Sequence, residues 1–261
     1  MDKLSVLCTV YNESNFLDYS ISSYIDQVDH VVCVEGSYLE NIKLGASPRS
    51  TDGTLDIIRK YLDKYPEKFF HIEANEQSDT QQRNVGLNKI RELNPDNFFM
   101  IIDGDEVYDT NTLKMVRTCA NTMEKQRKLA AYFKSLTFIN NFKTYTEQDF
   151  PRLFKMTPGV KFVNDNFTVW EDLGISWFSP YVIRVPYVKY YHYSFCKGRE
   201  RFLQKRNWWM NRGLSKDFDY GWKVDESGEI SDVNHEIYEY TGTHPLAVVN
   251  HPLWKMAYGG K

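Results

Sequence analysis

Apolar and polar positions alternate in blocks along the first 110 residues of the chain. Residues 4–10, Leu-Ser-Val-Leu-Cys-Thr-Val, form a short and mostly apolar run that predicts a strand. Residues 15–27 carry helical spacing, with Asn12 or Ser14 placed to cap it. The run His30-Val31-Val32-Cys33-Val34 makes residues 28–35 a second strand, ending in Glu35-Gly36-Ser37, and a polar segment covers residues 38–49. Residues 54–65 predict an amphipathic helix with Leu55, Ile58 and Leu62 on one face. Residues 69–73 then read as a strand, 81–92 as a helix and 98–102 as a fourth strand. Strands separated by helices predict βαβ units, hence an α/β fold with a mostly parallel sheet flanked by helices.

Beyond Asp109 the pattern changes. Residues 113–128 predict a helix, and residues 130–138, 150–155, 160–167 and 181–193 predict strands with fewer helices between them. Residues 198–212 read as a helix that mixes basic and aromatic side chains, and the tail from Asp217 takes no clear assignment. The expected organisation is one domain in two halves, residues 1–110 and residues 111–261.

The fourth strand runs directly into acid. Phe98 to Ile102 are all apolar, as in a strand buried on both faces, and Asp103-Gly104-Asp105 follows at once. Ligands of open α/β sheets bind at the carboxyl ends of the strands, so two carboxylates there are placed to hold a divalent cation through oxygen. The same Asp-Gly pair also suits a tight turn, and the triplet alone leaves both readings open.

Composition narrows the partners. The formal net charge of −3 gives no global reason to expect nucleic acid. Cys8, Cys33, Cys119 and Cys196 are scattered without zinc-ligand spacing and are expected to be free thiols in a reducing compartment. Residues 4–10 are too short for the apolar core of a signal peptide, and no stretch approaches the ~20 apolar residues of a membrane-spanning helix. A cytoplasmic protein is expected, with membrane contact at most peripheral.

Five segments occur in a telling order: Tyr11-Asn12-Glu13, Glu35-Gly36-Ser37, Ser50-Thr51-Asp52-Gly53-Thr54, Arg83-Asn84-Val85-Gly86 and Ile101-Ile102-Asp103-Gly104-Asp105. The series resembles the nucleotide-binding half of family 2 glycosyltransferases with the GT-A fold, a Rossmann-like sheet with a C-terminal acceptor-side extension. In that family the segments run strand, Tyr-Asn-Glu; strand, Asp-Gly-Ser-x-Asp-Gly-Thr; Ala-Arg-Asn-x-Gly; strand, Asp-x-Asp. Thr9 stands where a Pro is frequent, Val34 where the first Asp is frequent, and residues 38–49 split a motif that is normally continuous.

The resemblance implies a metal-dependent inverting transfer of a sugar from a nucleotide-diphosphate donor, with a UDP-sugar as first expectation, to a glycan or other hydroxyl acceptor. It assigns Tyr11, Asn12, Glu13, Glu35, Asp52, Arg83, Asn84, Asp103 and Gly104 to the nucleotide sugar. Asp105 is then the direct ligand of Mn²⁺ or Mg²⁺, and His192, in His-Tyr-Ser before a basic helix as in lipopolysaccharide-type members, is a further ligand. Inverting chemistry needs a carboxylate base opposite the leaving diphosphate. Glu171 is the first choice, Asp172 the second and Asp165 the third, all downstream of Arg152-Leu153-Phe154. Trp208 and Trp209 are candidates for stacking on an acceptor. Two other readings compete. A nucleotidyltransferase would carry a Gly-rich basic loop after its first strand, and residues 9–15 contain no Gly, Lys or Arg. A nucleotide- or carbohydrate-binding protein of the same fold without turnover is the alternative from another class.

Overall fold

The structure is a computed structural model and describes residues 3–74, 77–163, 179–211, 222–225, 227, 229–232 and 236–258. Strand β1 (Leu4–Val10) leads to α1 (Leu17–Tyr24), β2 (His30–Glu35), the short α2 (Leu39–Lys43), α3 (Thr54–Lys64) and β3 (Phe69–Glu73). Helix α4 (Asp79–Leu93), β4 (Phe98–Ile101), β5 (Glu106–Val107) and α5 (Thr110–Lys125) complete the first half and its exit. The second half carries the long strands β6 (Ala130–Ile139), β7 (Thr144–Lys155) and β8 (Val182–Phe195), then α6 (Arg199–Asn211). A two-stranded ribbon of β9 (Trp222–Val224) and β10 (Ile230–Asp232), then β11 (Tyr238–Glu239) and α7 (Pro252–Tyr258), follow.

One sheet joins both halves in the order β3-β2-β1-β4-β7-β6-β8-β5, with β11 on β7. Its first four strands are parallel. The sheet turns antiparallel at β7 and is mixed beyond it. This is the Rossmann-like α/β arrangement expected of a GT-A fold. The apolar runs of β1, β2 and β4 are buried on both faces, as their lack of alternation demands. Val6, Cys8, Val31, Met100 and Ile102 share one core with Ile21 and Ile58. Leu7, Val32, Val34, Phe99 and Ile101 face the other way onto Leu87 and Ile90. Helix α4 reaches that face closely because Gly86 has no side chain: a Cβ there would lie 2.3 Å from Leu7 Cδ1 and 2.7 Å from Val34 Cγ2.

Several sequence expectations change in detail. Helix α1 starts at Leu17 with no side-chain cap, because Asn12 and Ser14 are engaged elsewhere on the rim. Strand β7 begins at Thr144, six residues before the apolar run; the mostly polar residues 145–149 pair with β6, and Thr144 and Tyr145 with β11. Residues 161–163 are not strand: Asn84 Nδ2 donates to the Phe162 carbonyl at 2.8 Å and the Phe162 N–H donates to Asn84 Oδ1 at 2.9 Å. That backbone is therefore satisfied by a side chain in place of a sheet ladder. Cys8, Cys33, Cys119 and Cys196 are all free and buried. Among the described residues no helix is long and apolar enough to cross a membrane.

Candidate active site at the carboxyl rim of the sheet

Parallel register brings the rim together. Val10 pairs with Glu35 and Glu35 with Glu73, so the ends of β1, β2 and β3 lie level. The chain after β1 turns through Asn12, whose φ of 49° is left-handed, a region Asn tolerates better than most residues. The turn is held from the 50–54 segment. Asn12 N–H donates to Ser50 Oγ at 2.9 Å, Asn12 Oδ1 accepts from Thr51 N–H at 2.8 Å, and Glu13 N–H donates to Thr54 Oγ1 at 2.7 Å. Asp52 accepts from the N–H groups of Ser14 at 3.0 Å and Thr54 at 3.1 Å. Burial works against its charge, but the Thr54 hydroxyl, donating at 2.6 Å, and these N–H groups hold its carboxyl below the usual range.

Glu35 is fully buried and accepts from Ser50 N–H at 2.7 Å, with Arg49 Nε at 3.7 Å; Arg49 also meets Glu73 at 3.2 Å. Tyr11 donates its hydroxyl to the Ser47 carbonyl at 2.8 Å. The end of the 38–49 stretch that splits the family motif is thus strapped to the rim, by Tyr11 at Ser47 and by Glu35 at the following Ser50.

The acidic triplet leaves β4 and enters β5, and β7 supplies its main cation. Arg152 lies next to Leu153, which pairs with Met100, so its side chain reaches the end of β4. Its Nη2 bonds Asp103 Oδ2 at 3.1 Å and Glu106 Oε1, while Nε meets both Glu106 oxygens at 3.1 Å. Burial drives Glu106 up to about 8 against the pull of Arg152, with Asp103 and Asp105 adding to the rise. Burial also opposes the charge of Asp103, yet Arg152 and Arg83 together hold its carboxyl below the usual range. Gly104 is needed for packing: a Cβ would lie 2.7 Å from Glu13 Cγ and 3.1 Å from Val10 Cγ1.

The far strand completes the site. In the β5–β8 ladder Glu106 pairs with His192, and Tyr193 N–H donates to the Asp105 carbonyl at 3.0 Å. This register sets His192 Nε2 3.3 Å from Asp105 Oδ1. Lys197, just past β8, places Nζ 2.6 Å from Asp105 Oδ2 and 2.6 Å from Glu13 Oε1. Burial would raise Asp105, but Lys197 and then His192 hold it well below the ordinary range, whereas burial prevails at Glu13 and raises it against Lys197. Arg201 and Lys205 follow at four-residue steps, the spacing of one helix face. Arg201 donates to the Tyr11 carbonyl at 2.8 Å and Lys205 bonds Ser194, and burial pulls Lys205 below the usual lysine range.

Tyr11, Asn12, Glu13, Asp52, Asp103, Gly104, Asp105 and His192 therefore lie on one rim, with Glu35 beneath it. Arg83 is one turn into α4, bonded through Nε to Asp79 at 2.7 Å and stacked 5.8 Å from the Phe162 ring. Asn84 holds the Phe162 backbone. Asp165, Glu171 and Asp172 lie outside the described residues, as do the side chains of Trp208 and Trp209. Sequence reasoning missed Glu106, Arg152 and Lys197 as site residues. Glu106 directly follows the triplet and Arg152 opens the Arg-Leu-Phe segment, so proximity to known motifs was their only signal; Lys197 had none beyond following His192 by five residues.

No protein-family model matches the chain, and no curated protein sequence matches it. Among solved structures it is similar to S. aureus TarS. TarS 1-349 aligns at 16% identity over 86% of this chain and 76% of that one, with a TM-score of 0.49. TarS 1-349 in complex with UDP-GlcNAc aligns at 20% identity over 52% of this chain, with a TM-score of 0.40, and in complex with UDP at 22% over 52%, with a TM-score of 0.38. The chain spans 35% and 36% of the length of those two TarS chains.

Proposed function

We propose that the chain is an inverting glycosyltransferase that moves a sugar from a nucleotide-diphosphate donor, first a UDP-sugar, to an acceptor hydroxyl. The observation that carries this reading is the convergence of four sequence-separate motifs at the carboxyl ends of the parallel strands β1, β2 and β4, with Arg83 of the fifth acting on Asp103 from α4. Ligands of such sheets bind at that rim. Arg83, Arg152, Lys197, Arg201 and Lys205 gather near this rim, each guanidinium or ammonium a donor suited to a diphosphate once its acidic partner is shared.

The residues fit a divalent cation in chemistry. Asp103, Glu106 and His192 each offer a ligand atom, all within 4.8 Å of one another, and Asp105 adjoins His192. Asp105 and His192 are the proposed ligands of Mn²⁺ or Mg²⁺, with Asp103 serving the donor ribose. A cation bound there would supply charge to stabilise the departing diphosphate. The protein's own part is to hold the donor against the rim loops and to place a base on the opposite side of the anomeric carbon. Glu13, Asp103, Asp105 and Glu106 are each paired with a cation. This favours a base from residues 164–178, with Glu171 first and Asp172 second. Asn84 holds the Phe162 backbone beside Arg83.

The test is a thermal-shift screen of nucleoside diphosphates with and without Mn²⁺, followed by donor turnover with candidate hydroxyl acceptors. A ligand present at 100 times its dissociation constant should stabilise the fold by about 2.7 kcal/mol. Stabilisation by UDP above other bases supports the donor class. Binding without any turnover would favour a nucleotide-binding protein, and no stabilisation by any diphosphate would overturn the proposal.

A further inference from the structure

We propose that Lys197 is a resident counter-ion of the Asp105–Glu13 carboxylate pair, and that a divalent cation binding through both Asp105 oxygens must displace its ammonium. The inference rests on the cation site proposed above and not on sugar transfer.

The first ground is occupancy. Lys197 Nζ bridges Asp105 Oδ2 and Glu13 Oε1 at 2.6 Å each, and its side chain is only 6% exposed. Two carboxylate oxygens gathered around one small cation are the hard-oxygen environment that Mg²⁺ or Mn²⁺ also selects. A metal taking both Asp105 oxygens, Oδ1 beside His192 and Oδ2 toward Glu13, would therefore compete with the ammonium for Oδ2.

The second ground is charge. Glu13, Asp103, Asp105 and Glu106 are matched at this site by Arg152, Lys197, Arg201 and Lys205. Arg83 also acts on Asp103, so a dication entering this mostly buried site would lose its hydration without finding an excess of acids over bases. Such an entry is unfavourable unless a resident cation leaves.

The third ground is which cation can leave. Arg152 is 1% exposed, lies within β7 and holds Glu106 and Asp103 together. Arg201 is fastened to the Tyr11 carbonyl and Lys205 to Ser194, and neither contacts Asp105 in the ion pairs of the described residues. Among the ion pairs of the described residues, Lys197 is the one of these four that meets the Asp105 carboxylate. Its ammonium is a point charge on a flexible stem with no planar fork to reseat. Gly198 follows it with a left-handed φ of 84° and no atom within 4 Å of where a Cβ would stand, so the connection to α6 has room to adjust.

The experiment is isothermal titration of MnCl₂ into the wild type and Lys197→Met, without nucleotide. Relief of competition should tighten Mn²⁺ binding by about tenfold or more in Lys197→Met, and adding Asp105→Asn should abolish the gain. In parallel, acetylation of the wild type read by peptide mass spectrometry should show Lys197 protected without metal and reactive at saturating Mn²⁺. Equal or weaker Mn²⁺ binding by folded Lys197→Met, or no Mn²⁺ binding by either protein, overturns the proposal. If Lys197→Met does not fold, the labelling decides: a Lys197 whose reactivity ignores Mn²⁺ overturns it equally. Neither readout involves a nucleotide or a sugar, so failure here is distinct from failure of the transferase reading, which the nucleotide screen measures.

Discussion

Glu106 and His192 lie directly opposite each other in the antiparallel ladder between β5 and β8. This pairing delivers the imidazole to Asp105, and with it the whole strand end that carries Lys197. The two-residue strand β5 is therefore the joint between the acidic rim and the second half of the chain.

Arg152 is expected to be the electrostatic keystone of that joint. Arg152→Met would leave Glu106 buried beside two aspartates without its cation, a loss of about 3–5 kcal/mol in urea denaturation. The double variant Arg152→Met/Glu106→Gln should recover much of this, because the buried charge is removed with its partner. A single-variant loss below about 1 kcal/mol, the range of exposed ion pairs, would contradict the assignment.

Gly86→Ala should destabilise by about 1–3 kcal/mol through overpacking, since its Cβ would enter the van der Waals shells of Leu7 and Val34 in the core. Gly45 is a useful contrast, with φ of +91° and no atom near a Cβ. Gly45→Ala should carry only the backbone cost, roughly 1–2 kcal/mol, and Gly45→Asn should recover part of it. Equal behaviour of Ala and Asn at position 45, measured by thermal melts, would count against a backbone origin.

Acid should weaken the fold through two C-terminal histidines. His244 Nε2 donates to the Phe142 carbonyl at 2.8 Å, which leaves Nδ1 to accept from Tyr193 at 2.9 Å. His251 Nε2 donates to the Asn15 carbonyl at 3.0 Å while Nδ1 accepts from Leu253 N–H at 3.1 Å. Both rings are thus held neutral. Burial pulls His244 from 6.5 down to about 4, against its bond to Phe142, and pulls His251 below 6.5. The unfolded chain then takes up these protons first, so stability present above pH 6.5 is lost as pH falls toward about 4. Urea midpoints measured across that window should fall, and less steeply in His244→Gln/His251→Gln. An unchanged slope in the double variant would place the acid sensitivity elsewhere.

Asp105→Asn and Glu171→Gln should separate the proposed roles. Asp105→Asn should lower transfer on the order of 10²-fold or more, in the range seen when one group stabilising transition-state charge is removed, and should weaken the response to Mn²⁺. Glu171→Gln should leave donor binding intact and slow transfer by roughly 10²–10⁴-fold, as for loss of a general base. Full activity of Glu171→Gln in a radiolabel transfer assay would move the base to Asp172.

The chain's own pattern determined the βαβ half, because strands buried on both faces and helices buried on one stripe write their environment into consecutive residues. Asp103 and Asp105 were legible as strand-end acids for the same reason: they stand immediately after the apolar run of β4. Other features left little local trace. Residues 144–149 are mostly polar and became strand by pairing with β6 and, at Thr144 and Tyr145, with β11. Arg152, Glu106 and Lys197 look like ordinary surface charges in sequence, yet each is nearly inaccessible in the fold. Lys197 meets Asp105 across 92 residues, and only the register of β5 on β8 brings them together. Periodicity reports which side of an element is buried. Which charge is buried against which other is a property of strand order and register, and tertiary structure alone decided it.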